Sequence, residues 1–146
     1  MSRVQSLLSV VSLICLFALG CGDTKKTALV KGRVTYKGLP VTSGTITFVP
    51  EGNAPSATGN LSPDGTYELT TYKPNDGAVL GKHSVMIVAI DTQVTRLPED
   101  RSPLPPPIIP TKYLDNNTSG LIAEVADKEN VIDFELTGEL PGKNKK

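Results

Sequence analysis

The feature that most constrains this 146-residue chain is the spacing of its apolar residues. From about residue 30 onward they recur at every second position in short stretches, cut by glycine, proline, asparagine and aspartate. Side chains of a β-strand point alternately to opposite faces, so a period of two buries one face and wets the other. In the first stretch Val30, Gly32, Val34 and Tyr36 share a face opposed by Lys31, Arg33 and Thr35. Ile46 and Phe48 face in on a second strand, with Thr45, Thr47 and Val49 outward, and Ala57 to Leu61 reads as a short edge strand. Thr66 to Tyr72 buries Tyr67 and Leu69 and exposes Glu68. His83 to Ile90 is nearly continuous in apolar residues from Val85, the pattern of a central strand covered on both faces or lying at a close interface. Leu121, Ala123 and Val125 form a sixth strand; Ile132, Phe134 and Leu136, alternating with Asp133, Glu135 and Thr137, form a seventh. Gly38-Leu39-Pro40 turns the chain, and Ser62-Pro63-Asp64-Gly65 predicts a hairpin, because glycine accepts the positive φ of a tight turn. No segment beyond residue 20 carries a 3.6-residue apolar period. About seven short strands in about 110 residues predict an all-β domain, a single β-sandwich over residues 28–138.

The first 20 residues have a different character. Arg3 is followed by an uncharged apolar run from Leu7 to Leu19, too short for a spanning helix of about 20 residues but the right length for the core of a signal peptide. Ala18-Leu19-Gly20-Cys21 resembles a bacterial lipobox, with small Gly20 before the cysteine; Ala18 stands where leucine is usual, and Leu19 lies one place off that register. Cys15 falls inside the leader, so the exported chain keeps Cys21 alone, at its first residue, and forms no internal disulfide. The resemblance implies that Cys21 receives a diacylglycerol on sulfur and a third, palmitate-type chain on its new amine. Each buried methylene contributes about 0.8 kcal/mol, and two or more chains give a stable anchor. The expected organisation is a signal peptide over 1–20, a lipidated tether over 21–27, the β domain over 28–138 and a basic tail over 139–146. Gly22 follows the cysteine where lipoproteins kept at the inner membrane often carry aspartate, so an outer-membrane address is favoured over the inner.

Charge excludes one class of partner. The chain has 15 basic and 15 acidic residues, and removing Arg3 with the leader leaves 14 against 15. That is not the basic footprint of a nucleic-acid binder. The short cluster Lys143, Lys145 and Lys146 reads as a solvated end, or as a contact with an anionic wall or lipid surface.

Three stretches together carry a family resemblance: Val30-Lys31-Gly32-Arg33-Val34-Thr35-Tyr36-Lys37-Gly38 with Pro40; Asp64-Gly65-Thr66-Tyr67-Glu68-Leu69 running on to Gly81-Lys82-His83; and Pro110-Thr111-Lys112-Tyr113 with Thr118-Ser119-Gly120-Leu121. They resemble short planctomycete-type lipoproteins with a transthyretin-like or carboxypeptidase-regulatory-like domain, over residues 28–137. His83 stands where the wider class has its last aromatic. The resemblance implies a prealbumin-like sandwich that is non-catalytic in most members; fold alone does not settle activity.

The residues agree with a non-catalytic reading. The only histidine, His83, is followed by Ser84, and adjacent strand residues point to opposite faces, so the two do not pair as base and nucleophile. Asp64, Asp76, Asp91, Asp100 and Asp115 are scattered, without the spacing of a zinc or calcium site. Asn75-Asp76-Gly77 reads as a plain turn sooner than as a source of calcium ligands. The sequence therefore predicts no catalytic residue, no cofactor and no metal. With no tryptophan, and with Tyr36, Tyr67 and Tyr72 in core or half-core positions, it also lacks the aromatic platform of many sugar-binding sandwiches.

The stretch from Asp91 to Asn117 is unusually long, and Pro98, Pro103, Pro105, Pro106, Pro107 and Pro110 stiffen it toward polyproline II. Either it lies along a sheet edge and blocks strand addition, or it is a partner-binding loop using Leu104, Ile108, Ile109 and Tyr113. Two functions follow: a lipid-anchored module that binds or scaffolds another envelope protein, or a lipoprotein that binds carbohydrate or peptidoglycan.

Overall fold

The structure, a computed structural model, describes residues 25–90 and 106–141. The leader, Cys21, Leu104 and the lysine cluster of the tail lie outside the described residues. Eleven strands occur in the order β1 (Thr27–Ala28), β2 (Val30–Tyr36), β3 (Leu39–Pro40), β4 (Thr45–Pro50), β5 (Ala57–Asn60), β6 (Thr66–Glu68), β7 (Ala78–Val79), β8 (Gly81–Val88), β9 (Leu121–Val125), β10 (Asn130–Val131) and β11 (Phe134–Leu136). A 3-10 turn, Thr111–Leu114, precedes β9, and the described residues contain no α-helix. The chain is all-β. The seven longer strands coincide with the seven read from alternation, and four two-residue strands were not legible.

The strands form three sheets. One is antiparallel, in the order β5-β4-β8-β9. The second is built on β2, which pairs antiparallel with β3 and β6 and parallel with β10 and β11; β1 and β7 make a small third sheet. The two larger sheets meet through aromatic rings. Phe48 on β4 lies 6.3 Å from Tyr67 on β6 and 6.0 Å from Phe134 on β11, the latter edge-on, and 5.8 Å from His83 on β8. Val34, Ile46, Leu69, Val85, Ile87 and Leu136 are fully buried around them.

Local differences from the sequence reading have physical causes. The first turn is at Lys37 and Gly38, both at positive φ, and Leu39–Pro40 already pairs back on Tyr36 and Thr35. Two residues at positive φ match the twist of the flanking strands, and a proline is tolerated on such an edge. The Asp64-Gly65 turn is where it was expected: Gly65 N–H donates to the Ser62 carbonyl at 2.8 Å, and the Asp64 carboxylate accepts from the Thr66 hydroxyl at 2.7 Å. Its two arms do not form one hairpin ladder, however. β5 joins β4 and β6 joins β2, with a bridge between Thr58 and Thr70 holding the corner. Gly59 permits that corner, since a Cβ there would sit 2.4 Å from the Glu68 carbonyl oxygen. β6 stops at Glu68, and the next turn is organised by Asp76, whose carboxylate accepts N–H groups of Thr71, Tyr72 and Lys73 at 2.7–3.0 Å. Burial alone would raise the Asp76 carboxyl, but those donors outweigh it and hold it below the ordinary range. β8 is central, yet only His83, Val85 and Ile87 along it are buried; Val88 remains 38% exposed on the other face.

The seventh strand begins earlier than its alternation suggested, at Asn130, and is interrupted at Ile132 and Asp133. Asn130 and Ile132 donate to the carbonyls of Leu29 and Lys31, both at 2.9 Å. At the next step the backbone turns aside. The Ile132 carbonyl points under Gly32 and accepts the Tyr67 hydroxyl at 2.6 Å, while the Asp133 carboxylate takes the Arg33 N–H at 2.8 Å. Gly32 is required here, because a Cβ would fall 1.8 Å from the Ile132 oxygen. Beyond the break, Phe134 to Leu136 resumes parallel pairing with Val34 to Tyr36.

Candidate functional site

The residues singled out from sequence divide sharply in placement. Ile109 is completely buried and Tyr113 is 3% exposed. The Tyr113 hydroxyl donates to the Thr137 carbonyl at 3.0 Å and accepts the Thr137 N–H at 2.9 Å, which fastens the 3-10 turn beside β11. Ile108 is half-buried and donates its N–H to the Ala89 carbonyl at 3.1 Å, next to a bridge between Ile90 and Pro107. Residues 107–113 thus act as a cover on the end of β8, and the side chains of Ile109 and Tyr113 face the core, where a partner does not reach them. Ser119 completes the attachment, its hydroxyl donating to the Val85 carbonyl at 2.5 Å.

His83 is 1% exposed. Its Nδ1 is 3.0 Å from the Gly81 carbonyl, so this nitrogen carries the proton and donates it. Nε2 is buried without a hydrogen-bond partner. Burial pushes the imidazole below its ordinary value against the upward pull of the Gly81 carbonyl and Glu124. Asn116 donates to the Ser84 hydroxyl at 3.2 Å on the opposite face of the strand.

Among the described residues an open groove of about 880 Å³ runs across the outer face of the β2 sheet, at the corner where β6 turns toward β5. Lys31 and Arg33 come from β2, Thr66 and Glu68 from β6, Thr58 and Asn60 from β5. Val131 and Asp133 close it on the C-terminal side, with Ser62, Thr70 and Asn75 at its rim. Alternation places these side chains outward, and antiparallel register sets Lys31 opposite Glu68 and Arg33 opposite Thr66. Lys31 also pairs with Glu129, whose hydrogen bond and charge raise the ammonium above its ordinary value. Arg33 lies 3.7 Å from Asp64, which is held low first by the Thr66 hydroxyl and amide and then by the guanidinium. Tyr67 borders the groove from the core side, and its hydroxyl is raised by burial and by the charge of Asp133. The groove therefore offers hydroxyl, amide and oppositely charged groups in one strip. Sequence reasoning placed Lys31, Arg33, Glu68 and Asp133 on outward faces; what it lacked was the β5–β6 corner that makes the face concave.

Among the described residues, no group of three His, Cys, Asp or Glu side chains is placed to hold a metal ion, and no helix is long and apolar enough to cross a membrane. No family model, curated protein or solved structure matches the chain.

Proposed function

We propose that this chain is an exported, lipid-anchored, non-catalytic envelope protein of the transthyretin-like kind, whose β-sandwich binds or scaffolds another envelope protein through the groove over β2 and β6. The groove carries the reading. It is wide and open, and its paired charges of both signs suit an extended polypeptide segment better than a small metabolite, which favours enclosed apolar sites. Facing of the two larger sheets across Phe48 supports the sandwich. The anchor rests on the leader and Cys21. Lys25 is four residue steps beyond Cys21, a reach of about 14 Å at full extension, so a lipidated cysteine would hold the domain at the membrane surface.

Two measurements test this. Cys21→Ser should move the protein from the carbonate-washed membrane pellet to the soluble fraction; retention in the pellet after export and leader cleavage overturns the anchor. A photo-crosslinking residue at Asn60 should capture an envelope protein, whereas one at Ile122, exposed on β9 at the opposite edge of the same four-stranded sheet, should not. Equal capture from both sites removes the groove from the reading. The hydroxyl and amide lining from Thr58, Asn60, Thr66, Thr70 and Asn75 favours a second reading, a glycan ligand. Co-sedimentation with purified peptidoglycan sacculi, abolished by filling the groove with Thr66→Trp, would support it over a protein partner.

A further inference from the structure

The two ends of the domain leave it from one pair of strands. β2 follows the N-terminal tether directly apart from the two-residue β1, and β10 and β11 are the last strands before the C-terminus. They run parallel, Asn130 beside Val30 and Leu136 beside Tyr36. In a parallel pair the N-terminal end of one strand and the C-terminal end of the other lie at opposite ends of the ladder. Tension between the termini therefore slides the strands past one another and loads all their bonds together. Tension on two points at the same end of the ladder peels them one bond at a time.

Side chains keep the bonds across this pair going where the ladder lapses. At the break the Asp133 carboxylate accepts the Arg33 N–H of β2, and Tyr67 of the neighbouring β6 ties down the Ile132 carbonyl. Past the last ladder pair, the Tyr36 hydroxyl donates to the Gly138 carbonyl at 2.8 Å. Three of the five ion pairs among the described residues also join the N-terminal to the C-terminal segment: Lys26–Asp127, Lys31–Glu129 and Lys37–Glu139. They are exposed and individually weak at equilibrium, but they are spread along the direction of sliding, one before the ladder, one at its start and one beyond its end.

We propose that the β2–β10/β11 pair is a mechanical clamp, built to keep the domain folded while its N-terminal anchor and its C-terminal end are pulled apart. The proposal rests on the reading of Cys21 as the membrane anchor for its purpose, though not for its physics. A module held by lipid at one end, with its Lys143, Lys145 and Lys146 tail held on an anionic wall surface at the other, would experience tension along this axis.

Single-molecule force spectroscopy on the exported chain bearing Cys21→Ser tests it in two geometries. Handles at the two termini load the pair in shear; handles at the N-terminus and at a cysteine replacing Lys128 peel it from one end. The unfolding force at equal loading rate should be about twofold or more higher between the termini, since forced unfolding reads the barrier along the pulled direction. Asp133→Ala should lower the terminal force and leave the peeling force nearly unchanged. Met86→Ala, half-buried in the other sheet, should leave the ratio of the two forces intact even if it lowers equilibrium stability. Equal forces in both geometries, or equal losses from Asp133→Ala and Met86→Ala between the termini, would overturn the clamp. The outcome is independent of lipidation, so failure of the anchor shows only in fractionation and failure of the clamp only in the force ratio.

Discussion

Along β4 and β8 six consecutive residue pairs, from Thr45–Val88 to Pro50–His83, run in unbroken antiparallel register, whereas β2 meets the C-terminal strand in two pieces with Ile132 and Asp133 between them. In the first region the backbone satisfies itself, and side chains only need to be apolar on one face. In the second, side chains take over backbone duties: Asp133 replaces a strand carbonyl for Arg33, and Tyr67 replaces a strand amide for Ile132. A buried donor or acceptor left without a partner costs about 1–3 kcal/mol. The two sheets should therefore tolerate polar substitutions very differently, although their apolar faces meet in one core.

That shared core sets the largest expected effect. Phe134→Ala removes a ring that packs edge-on against Phe48 and should destabilise the domain by about 3–5 kcal/mol in a denaturant titration. Glu135→Ala, exposed on the same strand, should cost under about 0.5 kcal/mol. Equal losses would mean that the alternation of β11 does not decide which side chain is buried.

The next effect belongs to the broken pair alone. Gly32→Ala drives a methyl group into the Ile132 carbonyl, a backbone atom with no side-chain freedom to yield, and should cost about 1–3 kcal/mol. Thr47→Ala, half-buried on the outer face of the regular sheet, should cost under about 0.5 kcal/mol. A smaller loss is expected from Tyr67→Phe, which keeps the ring beside Phe48 and strands only the Ile132 acceptor, at about 1–2 kcal/mol. If Tyr67→Phe is neutral while Gly32→Ala is not, the hydroxyl is a passenger and the close approach of the two strands is what the region protects.

The same contrast explains what could be read before the structure. Inward positions such as Ile46, Phe48, Tyr67, Leu69 and Leu136 followed from a period of two, since burial of one face leaves that imprint in any sheet. Periodicity carries no information about partners, so nothing in Val30–Tyr36 or Ile132–Leu136 announced that they lie side by side and parallel. Nor did it announce the break: Asp133 occupies an outward position, where its carboxylate looks like any solvated charge until the backbone beside it turns away. The groove was hidden for a related reason, because Thr58, Asn60 and Glu68 become neighbours only when the arms of the Asp64-Gly65 turn part into different sheets. In the proline-rich stretch the apolar content was plain, but choosing between cover and docking arm for Ile109 and Tyr113 required knowing that the end of β8 was there to be covered.

The effect that sharpens the comparison from the regular side concerns His83. It is the place in β8 where a polar ring has entered the core beside Phe48, with Nδ1–H satisfied by Gly81 and Nε2 buried and unpaired. Its pKa in the folded chain lies below 6.5, first because burial disfavours the imidazolium. Below pH 6.5 the unfolded chain then takes up a proton that the folded chain refuses, so stability is complete above 6.5 and falls as the pH drops toward the folded value. The groups that face this titration are the Gly81 carbonyl and Glu124, both of which soften it without reversing its direction. His83→Phe keeps a flat ring against Phe48, loses one hydrogen bond to a carbonyl at the start of the strand, and removes the orphan nitrogen; near pH 7.5 the two proteins should differ by under about 1.5 kcal/mol. Between pH 6.5 and 5 the variant should lose the slope, at most about 1.4 kcal/mol per pH unit for one proton. Both proteins should still weaken below about pH 4, where protonation of Asp76 releases the donors of Thr71, Tyr72 and Lys73. Parallel stability–pH curves for wild type and His83→Phe across 6.5 to 5 would show that the imidazole is protonated in the folded core without penalty. The regular sheet would then be more forgiving of polar groups than its unbroken ladder implies.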